Sequence, residues 1–372
     1  MSPRPRAVTR SPFREMQPSS TPLITPTVGS RWRGALARSR LMRALSRPWA
    51  GLATCLMYHR ICPDPSGSDD LTGDFAPNRD LSVTVSAFDE QMAFVAEHFN
   101  CLSLPEAVER LACGELPERS LIVTFDDGYL DNLTLALPIL RKHGVPATVY
   151  IATGLIEKGD LPWWYELEDL IAAADGFHIH WHKQHMHFST IDADAKRRTF
   201  ETLNPMLKRM DPTEQARFMA LLRKDSRKPA EQTNQFMSRQ QLIELASDPL
   251  ITIGAHTHHH LALSCLKPIQ LRHEISRSKE LLEDWLKQPI EHLAYPYGGE
   301  AHASTREFGV AAELGFSSAV TTRLGHVQEF HKDNLLALPR IGIGYRDCMA
   351  RFEWELSGLY CMTRRPRSRW IC

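Results

Sequence analysis

At 372 residues, 43% of them apolar, the chain is long enough for one large globular domain or two small ones with a sizeable core. Lys plus Arg and Asp plus Glu each total 44, so no overall charge bias calls for a nucleic acid, and any basic preference has to be local. No run nears the roughly 18 apolar residues of a membrane-spanning helix, and the eight cysteines (positions 55, 62, 101, 113, 265, 348, 361 and 372) form no CxxC pair, which predicts free thiols in a reducing compartment.

The local exception comes first in the chain. Residues 1–50 hold ten Arg against a single acid, Glu15, and up to about residue 30 this composition predicts a disordered arm. Residues 31–47 (RWRGALARSRLMRALSR) set Trp32, Leu36, Leu41, Met42 and Leu45 among the arginines. That pattern fits a short basic amphipathic helix on an anionic membrane surface, or a solvated charged arm. No secretory signal is read, because the apolar stretch PWAGLATCLMYH follows Arg47, far from the start. The expected location is cytoplasmic, with peripheral membrane contact through the arm.

From residue 52 short β-rich runs alternate with helical patterns. LATCLMYH (52–59) predicts a strand and SAFDEQMAFVAEHF (86–99) a helix, and Ser103 with Glu106 forms a capping box for a helix to about Ala112. LIVTF (121–125) reads as a buried strand, LDNLTLALPILRKHG (130–144) as a helix ended by Gly144, and ATVYIAT (147–153) as a strand. Residues 157–237 then break the rhythm and predict a mostly helical insertion. At its start Trp163 and Trp164 suit either a sugar-stacking platform or a helix packing its tryptophans onto the barrel. Within it, the cluster from His178 to His187 (FHIHWHKQHMHF is residues 177–188) has His178, His180 and His182 alternating as along one strand face. A second metal site or a polar hairpin would both fit; the lack of a completing carboxylate or Cys favours the hairpin.

After the insertion Ser238 and Gln241 cap a helix in MSRQQLIELAS, LITIGAH is a strand, and IQLRHEISRSKELLEDWLK is a long amphipathic helix. HLAYP, FSSAVTT and LLALPRIGI are strands around the helix TREFGVAAELG. Near-continuous apolar strands alternating with helices imply a parallel α/β sheet covered by helices, and seven or so such units imply a barrel over residues 51–345. Residues 346–372 are left as a helical, basic tail.

Two strand ends carry the chemistry. Asp126 and Asp127 stand directly after LIVTF, and GAHTHHHLAL (254–263) follows LITI with His256 and His260 spaced to reach one cation. Two His and one carboxylate, with positions left open, make a catalytic rather than a structural metal site. The doubled acid then has a reason: one Asp holds the metal and the other takes a proton from the attacking water. Parallel barrels place such groups at the C-terminal ends of their strands.

TFDDG (124–128) and H-T-x-x-H (256–260) resemble the first two motifs of the polysaccharide deacetylase family, the NodB-like carbohydrate esterases of family 4. LMYHRI (56–61), YPYG (295–298) and LPRIGI (338–343) resemble its exopolysaccharide-associated branch. The resemblance spans about residues 52–345 and implies a distorted (β/α)7 barrel acting on an N-acetylated polysaccharide or oligosaccharide. It implies Asp126 as general base and Asp127, His256 and His260 as ligands of a divalent metal, commonly zinc. It also makes the Tyr297 backbone N–H an oxyanion donor, and leaves His258 and His259 at variable positions outside the ligand set.

The sequence departs from the family pattern twice. The Arg that usually opens the third motif and steadies the base is Ala294 here, and Arg340 in LPRIGI is the candidate replacement. The late Leu-x-His that supplies the general acid is matched in letters by LGH (324–326), but ahead of the LPR strand, so His59 of MYHRI is preferred as acid or substrate contact. The expected activity is metal-dependent removal of N-acetyl groups from amino sugars of a polysaccharide or its precursor. The alternatives are an amidohydrolase for a small non-sugar amide, and an inactive carbohydrate-binding protein docked by its basic arm.

Overall fold

The computed structural model describes residues 50–65, 75–158, 161–226 and 235–364. The expectations for the basic arm, including membrane contact, fall outside these residues, as does the end of the tail.

Strand β1 (Ala53–Tyr58) leads into a short parallel pair, β2 (Arg60–Cys62) and β3 (Ser82–Thr84), then the two-residue β4 (Asn100–Cys101), β5 (Ser120–Phe125) and β6 (Ala147–Ile151). The insertion holds an antiparallel hairpin, β7 (Gly176–Trp181) and β8 (Gln184–Ser189). The main sheet resumes with β9 (Ile251–Ala255), β10 (His292–Ala294), β11 (Ser318–Leu324) and β12 (Leu338–Gly342). Strands β1, β12, β11, β10, β9, β6 and β5 are hydrogen-bonded in that order, and β1 pairs with β5 from Ala53 opposite Ser120 to Tyr58 opposite Phe125. The ring therefore closes as a seven-stranded parallel barrel, with β4 appended to the start of β5. It is uneven: β9 and β10 share one paired position, and the β11–β12 register shifts between Val320 and Leu324.

The apolar runs explain the ring, since β5 and β6 are buried along their whole length, as strands of a sheet covered on both faces must be. The helix Arg239–Ala246 opens with the complete Ser238/Gln241 capping box. At Leu104–Cys113 only half of the expected box forms, with Ser103 Oγ accepting from the Glu106 amide. The helix expected over 130–144 is split into a π-helical turn, Asn132–Ala136, and an α-helix, Leu137–His143. Pro138 accounts for the split: it has no N–H to give to the carbonyl of Thr134, so the turn before it widens.

The insertion is mostly helical, with Trp163–Ala173, Ala193–Arg209 and Pro212–Asp225 packed around the inner face of the β7–β8 hairpin. Leu167, Phe177, Leu203, Phe218 and Leu222 form a small core of its own, separate from that of the barrel. Among the described residues every cysteine is free, and no helix is long and apolar enough to cross a membrane.

Candidate active site

The site is built where β5 and β9 end. The Asp126 amide still donates to the Tyr58 carbonyl at 3.0 Å, one bond beyond the β1–β5 ladder. Asp127 and Gly128 then take positive φ values of 79° and 89°, and this left-handed step sends the two carboxylates to different neighbours. A side chain at Gly128 would also meet Ile151 Cδ1 at 3.0 Å. Just downstream, Asp131 Oδ1 accepts from the Ile61 amide, its Oδ2 from Arg60, and Asn132 Nδ2 donates to the His59 carbonyl. Asp131 and Asn132 thus clamp the β1–β2 junction and set His59 near Asp126, Asp127 and His260.

The histidine turn is held just as tightly. Thr257 and His260 have φ of 62° and 54°, so with Asp127 and Tyr297 the site's turns hold four of the eight positive-φ non-glycine residues among the described residues. Backbone strain of that kind persists only where the surroundings over-determine it. Here Gly154 and Thr153 amides donate to the His258 and Thr257 carbonyls, and the buried Glu274 accepts from the His259 amide at 2.8 Å and meets its Nδ1 at 2.7 Å. His258 and His259 accordingly pin the turn, and His256 and His260 are turned inward.

One carboxylate oxygen faces both inward imidazoles. Asp127 Oδ1 lies 3.4 Å from His256 Nε2 and 3.2 Å from His260 Nε2, and all three residues are buried. His256 Nδ1 meets the Ala294 carbonyl at 2.7 Å, which places its proton there and leaves Nε2 with a lone pair toward Asp127. Asp127 Oδ1 is buried yet makes no well-formed hydrogen bond. A buried anionic oxygen without a donor, with imidazole nitrogens all within 4.8 Å of it and of one another, fits a divalent cation. Burial would raise the Asp127 carboxyl, but His260 and His256 overcome it and hold it well below the usual range. Burial takes His260 down to about 4, which keeps it neutral as a ligand must be, while Asp126 and Asp127 outweigh burial at His256 and raise it.

Asp126 has a different partner. Arg340 Nη1 and Nη2 donate to its two oxygens, both at 2.7 Å, and the same guanidinium donates to Thr124 Oγ1 and the Thr321 carbonyl. Arg340 is 1% exposed, so this is a buried bidentate pair. Burial pushes the Asp126 carboxyl up, and the Arg340 charge more than reverses it, leaving it below its ordinary value. Each oxygen keeps a lone pair for a further hydrogen. Ala294, where the resemblance leads one to seek an arginine, contributes its carbonyl to His256 instead.

Tyr297 closes the third side. Its φ is 60°, and Gly298 beside it has φ 32° and no room for a Cβ, which would lie 2.7 Å from the Thr322 amide. The Tyr297 amide donates to no acceptor among the described residues, as an oxyanion donor should, and its ring sits 4.9 Å from that of His260. The two tryptophans divide: Trp164 is buried with its ring 4.9 Å from His260, and Trp163 is half-buried beside it. His326 of the LGH match lies at the other end of the barrel, where its Nδ1 meets Thr54 Oγ1 near the start of β1.

Sequence reasoning missed Glu274, Asp131, Asn132 and Lys208, whose Nζ lies 4.9 Å from the Tyr297 ring at the end of an insertion helix. Glu274 had a signal, an acid on the helix face that carries the apolar Leu271, Ile275 and Leu282. Lys208 had none.

Comparisons with known proteins bear on the family and the fold. The sequence matches the family profile described as polysaccharide deacetylase over residues 114–223 and 224–319. YxkH of Bacillus subtilis, a polysaccharide deacetylase by name, is 24% identical over 272 residues, covering 73% of this chain and 64% of that protein. The poly-β-1,6-N-acetyl-D-glucosamine N-deacetylase of Staphylococcus epidermidis is 31% identical over 114 residues, 28% of this chain and 37% of the relative. The chain therefore spans less than two thirds of the length of these curated relatives. Among solved structures, the Streptococcus pyogenes deacetylase PplD in complex with acetate superposes with a TM-score of 0.54 at 21% identity, over 82% of this chain and 97% of that one. The de-N-acetylase from Aggregatibacter actinomycetemcomitans superposes with a TM-score of 0.52 at 12% identity, over 82% and 99%. At these identities the likeness is one of fold.

Proposed function

Since the chain belongs to the polysaccharide deacetylase family, we propose that it hydrolyses N-acetyl groups on the amino sugars of a polysaccharide or its precursor, with a divalent metal, zinc, at Asp127, His256 and His260. The observation that carries this reading is the division of labour between adjacent carboxylates: Asp127 faces two imidazoles, and Asp126 faces an arginine. A single acid could not do both. Bound there, the ion would supply Lewis-acid polarisation of the amide carbonyl and acidify the attacking water.

The chain's own residues do the rest. Asp126 accepts the proton of the water as its oxygen adds to the acetamide carbon, using a lone pair that Arg340 leaves free. Arg340 is a positioning residue, which fixes the plane of that carboxylate and keeps it ionised. The Tyr297 amide donates to the oxyanion as the carbonyl becomes tetrahedral. His59, whose backbone carbonyl Asn132 holds, gives a proton to the departing sugar amine as the C–N bond breaks, and acetate and the free amine result. Trp164 packs on His260 and keeps water from that side of the ligand set.

Acetate release from N-acetylglucosamine oligomers tests the reading, with chelation, zinc add-back and Asp126→Asn as control. Release that needs metal and is lost in the variant is expected. Metal binding without release from any N-acetylated glycan would sink it.

A further inference from the structure

The β7–β8 hairpin carries a motif that deacetylation does not use. Five of the 17 histidines fall between residues 178 and 187, and in the antiparallel register His178 stands opposite His187 and His180 opposite His185. The ring centroids are 4.5 Å apart in both pairs, and all four side chains are exposed. The alternation of the strands explains the arrangement. Phe177 and Ile179 point into the insertion core, with Met186 and Phe188 packed against it, so the histidines occupy the outer face as two adjacent rungs.

A structural role accounts poorly for this choice. Exposed cross-strand positions gain from β-branched, aromatic or oppositely charged pairs, and two imidazoles facing each other offer little of that. Their shared property is a ring nitrogen that can give a lone pair to a metal ion. With metal–nitrogen bonds of about 2.0–2.1 Å, two imidazole nitrogens on one ion lie about 3 Å apart, which rings at 4.5 Å reach by small side-chain rotations. His182, in the turn, is drawn away to Glu214 at 3.6 Å and takes no part in the rungs.

We propose that the facing pairs His178–His187 and His180–His185 form a surface binding site for late divalent transition-metal ions, of the Ni²⁺, Cu²⁺ and Zn²⁺ class. The rungs lie two residues apart along the strand, about 6.7 Å, so each pair holds its own ion with water completing the shell. Among the described residues only Asp127, His256 and His260 bring three ligand atoms together. The hairpin therefore binds more weakly than the buried site and exchanges its metal with solvent. The proposal is independent of the deacetylase reading.

Equilibrium dialysis of the untagged full chain against Ni²⁺ tests it, beside a variant carrying His178→Thr, His180→Thr, His185→Thr and His187→Thr. The buried site is common to both proteins, so the difference isolates the hairpin. The wild type is expected to hold at least one more Ni²⁺ per chain. Equal stoichiometry in two folded proteins would overturn the site. Copper-catalysed oxidation of the wild type with ascorbate gives a reading that needs no variant: histidine oxidation concentrated in the 178–187 peptide supports the proposal, and oxidation confined to other peptides overturns it.

Discussion

Two histidine clusters in one chain come out as opposites. The 256–260 turn is buried but for His259, has positive φ at Thr257 and His260, and aims two imidazoles at a shared carboxylate, whereas the two histidine rungs of the 178–187 hairpin are exposed, paired in regular register and without an acid. Histidine content does not separate them. What makes a reactive centre is the company the imidazoles keep: Asp127 between two of them, a backbone carbonyl fixing His256, and Glu274 fixing the turn behind. Substitutions in the two clusters should therefore differ by orders of magnitude.

The largest effects belong to the doubled acid. Asp126→Asn is expected to lose about 10²- to 10⁴-fold in turnover, the usual contribution of a positioned general base, while metal content stays at the wild-type level. Asp127→Ala is expected to lose the metal as well, because its Oδ1 is the oxygen common to both imidazoles. Metal analysis beside acetate release separates the two, and equal metal loss in both variants would erase the distinction between the carboxylates.

Next comes the brace. Arg340→Met leaves Asp126 buried and unpaired, which should cost about 3–5 kcal/mol of stability, as breaking one side of a buried ion pair does. Urea unfolding reads that number. The pH–rate profile reads the second consequence. With Arg340 present the Asp126 carboxyl is held low and stays ionised through neutral pH. Without it burial dominates, the carboxyl rises, and activity is lost at higher pH on the acid side. An unmoved acid limb would mean that Arg340 does not set the base.

Metal affinity should fall with acid. His256 is raised above its ordinary value by Asp126 and Asp127, so in the free protein a proton competes for the lone pair the metal needs. Affinity is then full above the raised value and drops by up to about tenfold per pH unit below it, one proton being displaced per ion. Competition against a chromophoric chelator across about pH 5.5–8, the range in which histidines titrate, measures the slope.

The two halves of the site differed in how far they could be read from sequence. TFDDG and HTHHH each sit at the end of an apolar run, which puts them on one rim of a barrel; counting such runs gives seven or so units, the family resemblance implies seven, and the β1–β5 pairing closes the ring. The pairing of Arg340 with Asp126 joins residues 214 apart, and only the strand-end position of LPRIGI hinted at it. The LGH match shows the opposite case: its letters were right and its end of the barrel was wrong, because Thr54, 272 residues away, decides where His326 packs. Local motifs survive translation into a fold when a strand end fixes their direction. Glu274 and Asn132 had no such marker, since what they do depends on which loop folds back over them.

The smallest effects are expected in the hairpin, and they test the comparison from its other side. His178→Thr with His187→Thr removes one exposed rung and replaces it with a pair suited to the strand, so stability should stay within about 0.5 kcal/mol of wild type, as for surface changes generally. Acetate release should be unchanged, because the rung shares no ligand with Asp127, His256 or His260. Addition of Ni²⁺ should raise the midpoint of thermal unfolding more in the wild type than in this variant, since an ion bound only by the folded hairpin stabilises it by mass action. A loss of deacetylation in the variant would break the contrast, because it would mean that the exposed cluster acts on the reaction and that burial does not divide the two sets of histidines.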